Sequence, residues 1–230
     1  MQWTPERKLR GLASVAASIG VLLAPPALAA VSRADALYRS MLAAAVASQP
    51  SIDGWRDLRY AYAATPGYDP RAGAPDRARM LAEFRAGDCT AALAAARAVE
   101  AADYVEAAAH LVAAACDDKL GHDEDAGREL AAGRGLVASI ESSGDGASPA
   151  RAMVVISTQE AASVMRLEGR RIGGQALFQQ NGHRYDAITA LGDHGARQIY
   201  YFNIDRAAAA PTTPGALATP GAVSEGGPPQ

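Results

Sequence analysis

The sequence predicts an α+β protein: a helical N-terminal part, then a small antiparallel sheet with one helix. Apolar residues recur at helical spacing up to about residue 141. The stretch Ser142-Ser143-Gly144-Asp145-Gly146-Ala147-Ser148-Pro149 then interrupts the pattern like a linker. Beyond it come short strand-like runs, two of them joined by Asn181-Gly182, a pair that suits a type I′ hairpin turn.

Residues 1–30 read as a cleavable signal peptide. Arg7, Lys8 and Arg10 precede one apolar run over 12–23, followed by Pro25-Pro26 and Ala27-Leu28-Ala29-Ala30, with scission expected after Ala29 or Ala30. The run is too short to span a bilayer as a helix, no later segment reaches spanning length, and no Cys follows the cleavage point. The reading is a periplasmic or secreted chain without a stable membrane anchor. Losing Arg7, Lys8 and Arg10 together with Glu6 takes the formal charge from −3 to −5. A mildly acidic chain with no basic cluster argues against nucleic acid, whose binding rests on neutralising phosphates.

The mature helical region is expected over 31–142. Ser32 can cap a helix reaching Gln49, with Leu37, Met41, Leu42 and Ala45 on one side and Pro50 past its end. Trp55, Leu58 and Tyr62 define a second helix over 53–64. A turn-rich stretch leads to Pro75, which suits the first position of a helix carrying Met80, Leu81 and Phe84. Further helices are expected over 89–99, 103–119 and 123–141, the second of these opened by an Asp103/Glu106 capping box.

Gly87 and Gly121 lie 34 residues apart, each followed five positions later by Ala92 and Ala126. That period, with Gly87-Asp88, Ala92-Leu93 and Ala96, resembles a tetratricopeptide repeat over about 75–141. The resemblance implies stacked antiparallel helices with a concave binding face. Cys89 and Cys116 fall symmetrically about the turn near residues 100–103, so a hairpin brings them together. A disulfide between them is expected, worth about 3–4 kcal/mol in the chain-entropy account.

The α+β region is expected over 143–206. Residues 153–157 make a short buried strand, and Thr158 caps a helix of about ten residues ending at Gly169. Strands follow over 172–180, 183–191 and 197–205. A two-residue turn pairs Phe178 with Tyr185 and Leu177 with Asp186. A four-residue turn over 192–195 then sets Tyr185 against Phe202, Arg184 against Asn203 and Asp186 against Tyr201. In that register Phe178, Tyr185, Tyr200, Phe202 and Ile204 form the core face. Gln179, Arg184, Asp186, Tyr201 and Asn203 form an outer polar face, which a one-residue slip would exchange with the first. Residues 207–230, rich in Ala, Pro, Gly and Thr, read as a disordered tail.

The run Ile156-Ser157-Thr158, Gly169, Gln175, Asn181-Gly182-His183, Tyr185-Asp186 and 199–205, with Trp55-Arg56-Asp57-Leu58-Arg59-Tyr60-Ala61-Tyr62 and Tyr68-Asp69-Pro70, resembles a family of secreted bacterial proteins classed as a domain of unknown function. The resemblance covers most of residues 35–206. It implies no activity, only that the helical and β parts form one unit.

No catalytic motif emerges. His110, His122, His183 and His194 show no dense ligand spacing, and Gly144-Asp145-Gly146 is too short for a calcium loop, so no metal or other cofactor is expected. His183 and Asp186, three apart in a strand, point to opposite faces and make no catalytic pair. The expected role is a non-enzymatic module for an envelope protein or peptide. Its candidate surface is Arg184, Asp186, Tyr201, Asn203 and Asp205, since Arg and Tyr are enriched at binding hot spots. The alternative is an envelope hydrolase or small-ligand enzyme using Arg184, Asp186, Tyr201 or Asp205. A periplasmic inhibitor or immunity-type protein is a third reading.

Overall fold

The computed structural model describes residues 26–192 and 195–208, with side chains over 33–192 and 195–207. The basic and apolar parts of the expected signal peptide, and residues 209–230 of the tail expected over 207–230, lie outside the described residues; Ala207 and Ala208 are not tail but end a short helix, with Ala207 packed against the core. Residues 26–30, with the expected cleavage points, are described only as backbone.

Among the described residues, eight α-helices and four strands follow in the order α1 Pro26–Ala47, α2 Ile52–Ala63, α3 Ala74–Ala86, α4 Cys89–Ala102, α5 Ala107–Leu120, α6 Asp123–Glu141, β1 Met153–Val154, α7 Thr158–Leu167, β2 Arg171–Gln180, β3 His183–Leu191, β4 Arg197–Asn203 and α8 Asp205–Ala208. The fold class is α+β. None of the described helices is long and apolar enough to cross a membrane.

Local chemistry explains most boundaries. Ser51 and Asp88 cap α2 and α4 by accepting from the amides of Gly54 (3.1 Å) and Ala91 (2.9 Å), each worth about 1 kcal/mol. Gly87 and Gly121 end α3 and α5 in the left-handed conformation, at φ 82° and 79°. The amides after them reach back to Glu83 and Asp117, so the 34-residue spacing marks two equivalent helix ends. Three expected boundaries move. Ser32 lies inside α1. Ser157, not Thr158, caps α7, accepting from the Glu160 amide. The expected Asp103/Glu106 capping box does not form. Asp103 instead folds a turn by accepting from the Val105 amide, and Glu106 caps α5, which starts at Ala107 rather than at Asp103.

The sheet runs β1-β4-β3-β2. It is mixed rather than antiparallel, because β1 reaches β4 through α7 and two further strands and so pairs with it in parallel. Asn181 (φ 52°) and Gly182 (φ 81°) make the expected turn, and Phe178 pairs with Tyr185 and Leu177 with Asp186. The next connection is one residue longer than expected, since the Gly192 amide closes on the Ala196 carbonyl. Tyr185 therefore pairs with Asn203, and Asp186 with Phe202. This slip inverts β3 relative to the expected faces. The helix-facing side holds Asp186, Ile188 and Ala190 beside Tyr200 and Phe202, while Phe178 and Tyr185 lie on the opposite face, where Tyr185 is still buried.

One core spans both halves. Trp55 and Leu58 of α2 and Leu136 and Ile140 of α6 pack with Val155, Val164, Ile188 and Phe202. At its centre Arg59, fully buried, grips Glu160 through Nε (2.6 Å) and Nη2 (2.7 Å) and also donates to Ser139 and the Val154 carbonyl. The stretch 142–149 is no free linker. The Gly146 amide donates to Arg151, its carbonyl accepts from Tyr201, and a Cβ on Gly144 would lie 2.5 Å from the Arg151 carbonyl oxygen.

A second, Ala-rich cluster joins α3, α4 and α5 around Met80, Ala92, Ala96, Val99 and Ala113. Cys89 and Cys116 lie here, brought together by the α4–α5 hairpin as expected, yet the expected disulfide is not formed. Both are free buried thiols packed as small apolar groups, and burial, with the neighbouring Cys89, pushes the Cys116 thiol up to about 12.

Candidate functional site

Sheet order leaves β2 at the edge, where no strand pairs with its outer side among the described residues. Its ten residues are exposed along almost their whole length. Arg171 is its only charged residue and it carries no Pro, so past the bulge near its start the strand lacks the charge and proline that usually protect a free edge. Gly173 sits at a bulge between Ile172 and Gly174, where a Cβ would meet Leu191 at 2.5 Å. On the helix-facing side α7 stops short of covering β2, and Ile172 and Leu177 are 41% and 66% exposed.

Beside this edge lies a cleft of about 250 Å³ between α3, the start of α5, α7 and the sheet. Its floor is Ile172, Gln175 and Ile188; Arg77, Glu106 and Ser163 form the inner wall, and Thr158, Gln159 and Arg166 stand along α7. The inner wall is fixed. Arg77 Nε donates to Glu106 (2.9 Å), and Ser163 donates to the same carboxylate (3.2 Å). Arg77 Nη2 is held by the Ala72 carbonyl. Arg166 is exposed and has no ion-pair partner among the described residues. With Arg77 neutralised by Glu106, the cleft presents one uncompensated positive charge.

The five residues expected to share a binding surface separate. Asp186 is fully buried on the helix-facing side, where Gln175 donates to its Oδ2 at 2.6 Å. Burial pushes its carboxyl above the usual range, only partly offset by Gln175. Arg184 shares that side of β3, at the start of the strand. Tyr201 and Asn203 lie on the opposite face, where Phe178 stacks on Tyr185 at 5.3 Å and meets Tyr201 edge-on at 6.1 Å. Asp205, at the start of α8, accepts from the Arg184 amide (2.8 Å) and Asn203 (3.2 Å) and pairs with His183 (2.7 Å). Burial pushes its carboxyl up, but the Arg184 amide, His183 and Asn203 outweigh this and hold it low. Asn203 and Asp205 thus remain together; Asp186 does not join them.

The cleft residues were missed because they come from four distant segments. Ser163 and Arg166 carried a readable signal, lying three apart on α7 between the apolar positions Ala161, Val164 and Met165. Glu106 drew notice only as a cap. Comparison with family models, curated proteins and solved structures finds no match for this chain.

Proposed function

We propose that the chain, freed of its leader, works outside the cytoplasm as a non-enzymatic binding protein for an extended protein segment of the cell envelope. The segment adds as a strand to the edge of β2, and one of its side chains enters the adjoining cleft. The observation carrying this reading is the long, exposed, almost uncharged β2 edge beside a polar cleft. Backbone pairing to a sheet edge supplies affinity, and a pocket for alternate side chains supplies specificity. The uncompensated Arg166 favours an acidic or neutral polar side chain there. A hydrolase reading would need a reachable carboxylate of raised affinity for protons; Asp186 has the affinity but no exposure, and Asp205 is partly exposed but its affinity is lowered.

The test is selection of peptides from a displayed random library, followed by hydrogen exchange of the bound complex. Bound peptides should protect the amides of residues 171–180, and Leu177→Lys, at an exposed position, should weaken them about tenfold or more while leaving stability unchanged. Peptides that bind without protecting β2, or that ignore Leu177→Lys, would refute this placement.

A further inference from the structure

We propose that Glu100, His110 and Glu129 form a binding site for a first-row divalent cation between α4, α5 and α6. Their donor atoms lie within 4.8 Å of one another. The His110 ring is oriented for ligation. Its Nε2 faces the Tyr104 carbonyl at 2.7 Å, which accepts but cannot donate, so Nε2 carries a proton and Nδ1 points at the carboxylates. A backbone carbonyl on the far nitrogen is the usual device by which proteins orient a metal-binding histidine.

The carboxylates are held just as firmly. Arg97 pairs with Glu100 Oε2 (2.9 Å) and Glu129 Oε1, and also with Asp117 (3.1 Å). That leaves Glu129 Oε2 and Glu100 Oε1 facing Nδ1, at 2.6 and 3.7 Å. The Glu100 side chain is only 9% exposed, and its Oε1 is buried with no hydrogen-bond partner. An orphaned buried carboxylate oxygen costs about 1–3 kcal/mol or more, so it points to something missing at that spot.

Charge leads to the same place. Once Nδ1 gives up its proton to ligate, Glu100, Glu129 and Asp117 against Arg97 leave two negative charges, which one divalent cation balances. Ligand bonds of about 2.0–2.2 Å put donors roughly 3.3–3.6 Å apart. Glu100 Oε1, 3.7 Å from Nδ1, stands just beyond that separation, and Glu129 Oε2, at 2.6 Å, has to retreat by about an ångström or less once the proton between them leaves. One imidazole and two carboxylates suit Zn²⁺ or Mn²⁺ with water completing the shell, and Zn²⁺ is the tighter by the usual order of affinities. The half-exposed Arg97 side chain marks the way in. This site stands apart from the cleft and does not depend on the peptide-binding reading.

The experiment is titration of the full chain, stripped with chelator, with Zn²⁺ and with Mn²⁺, read by calorimetry and by thermal shift. One equivalent of Zn²⁺ should bind in the micromolar range or tighter and raise the melting temperature. Glu100→Gln keeps the shape and an acceptor for Arg97, yet should weaken binding at least about tenfold; Glu129→Gln should do the same. X-ray absorption of the Zn²⁺-loaded native chain provides a readout that needs no variant. It should show nitrogen and oxygen at about 2.0–2.2 Å with a single imidazole. Absence of binding, binding indifferent to both substitutions, or a shell containing sulfur or several imidazoles would overturn the proposal.

Discussion

Replacing Arg59 with Met removes four hydrogen bonds and leaves the Glu160 carboxylate buried, its side chain 3% exposed, with the Ile156 amide as a remaining donor. Breaking a buried ion pair from one side costs about 3–5 kcal/mol. The Val154 carbonyl, stripped of the Arg59 donor, adds about 1 kcal/mol or more. A loss of about 4–6 kcal/mol is comparable to the whole stability of many domains. With a urea slope of about 2 kcal/mol per molar, the midpoint followed by circular dichroism should fall by about 2–3 M. Glu160→Gln added to Arg59→Met removes the stranded charge while keeping an acceptor for Ile156. The double variant should therefore be more stable than Arg59→Met by at least about 1 kcal/mol. A midpoint shift below about 0.5 M for Arg59→Met, or no relief in the double variant, would refute the reasoning that this pair locks the two halves together.

Burial, aided by Glu106 and Glu160, pushes the Asp103 carboxyl from 3.8 to about 8. Between those values the native chain keeps a proton that the unfolded chain has lost, so stability from this group falls as pH rises from about 4 to 8. Asp103→Asn cannot ionise; its stability relative to the native chain should grow over that window by up to about 1.4 kcal/mol per pH unit, and parallel urea midpoints at both ends would contradict this. A Cβ on Gly135 would run into Trp55 Nε1, and Trp55 is buried, so Gly135→Ala should cost about 2–3 kcal/mol by overpacking. Gly182 has φ 81° with open space around it, so Gly182→Ala should cost only about 1 kcal/mol, purely from backbone strain, without altering the near-ultraviolet spectrum.

The helices were legible because their signals are local: Trp55, Leu58 and Tyr62 repeat at helical spacing, and Gly87 and Gly121 stop their helices through positive φ. The Asn181-Gly182 hairpin was legible for the same reason. The faces of β3 were not, because they depended on whether Ala196 belongs to the loop or to β4. No residue nearby decides that question. Packing does, by burying Ile188 and Ala190 with Phe202 and carrying Asp186 inward with them. Glu100, His110 and Glu129 likewise meet only because three helices pack, and no spacing along the chain announces it.

The common core has a consequence for how the chain can be assembled. The α3–α5 cluster closes from neighbours in sequence and can form as soon as residue 116 is available. The larger core cannot: Trp55 and Leu58 wait for Phe202, and Arg59 waits for a partner 101 positions away. During synthesis from the N-terminus, the face of α2 and α6 stays uncovered until almost the last strand arrives. A chain cut in the 142–149 stretch would therefore yield two incomplete pieces rather than two domains, and exchange of modules at that stretch is closed to this fold.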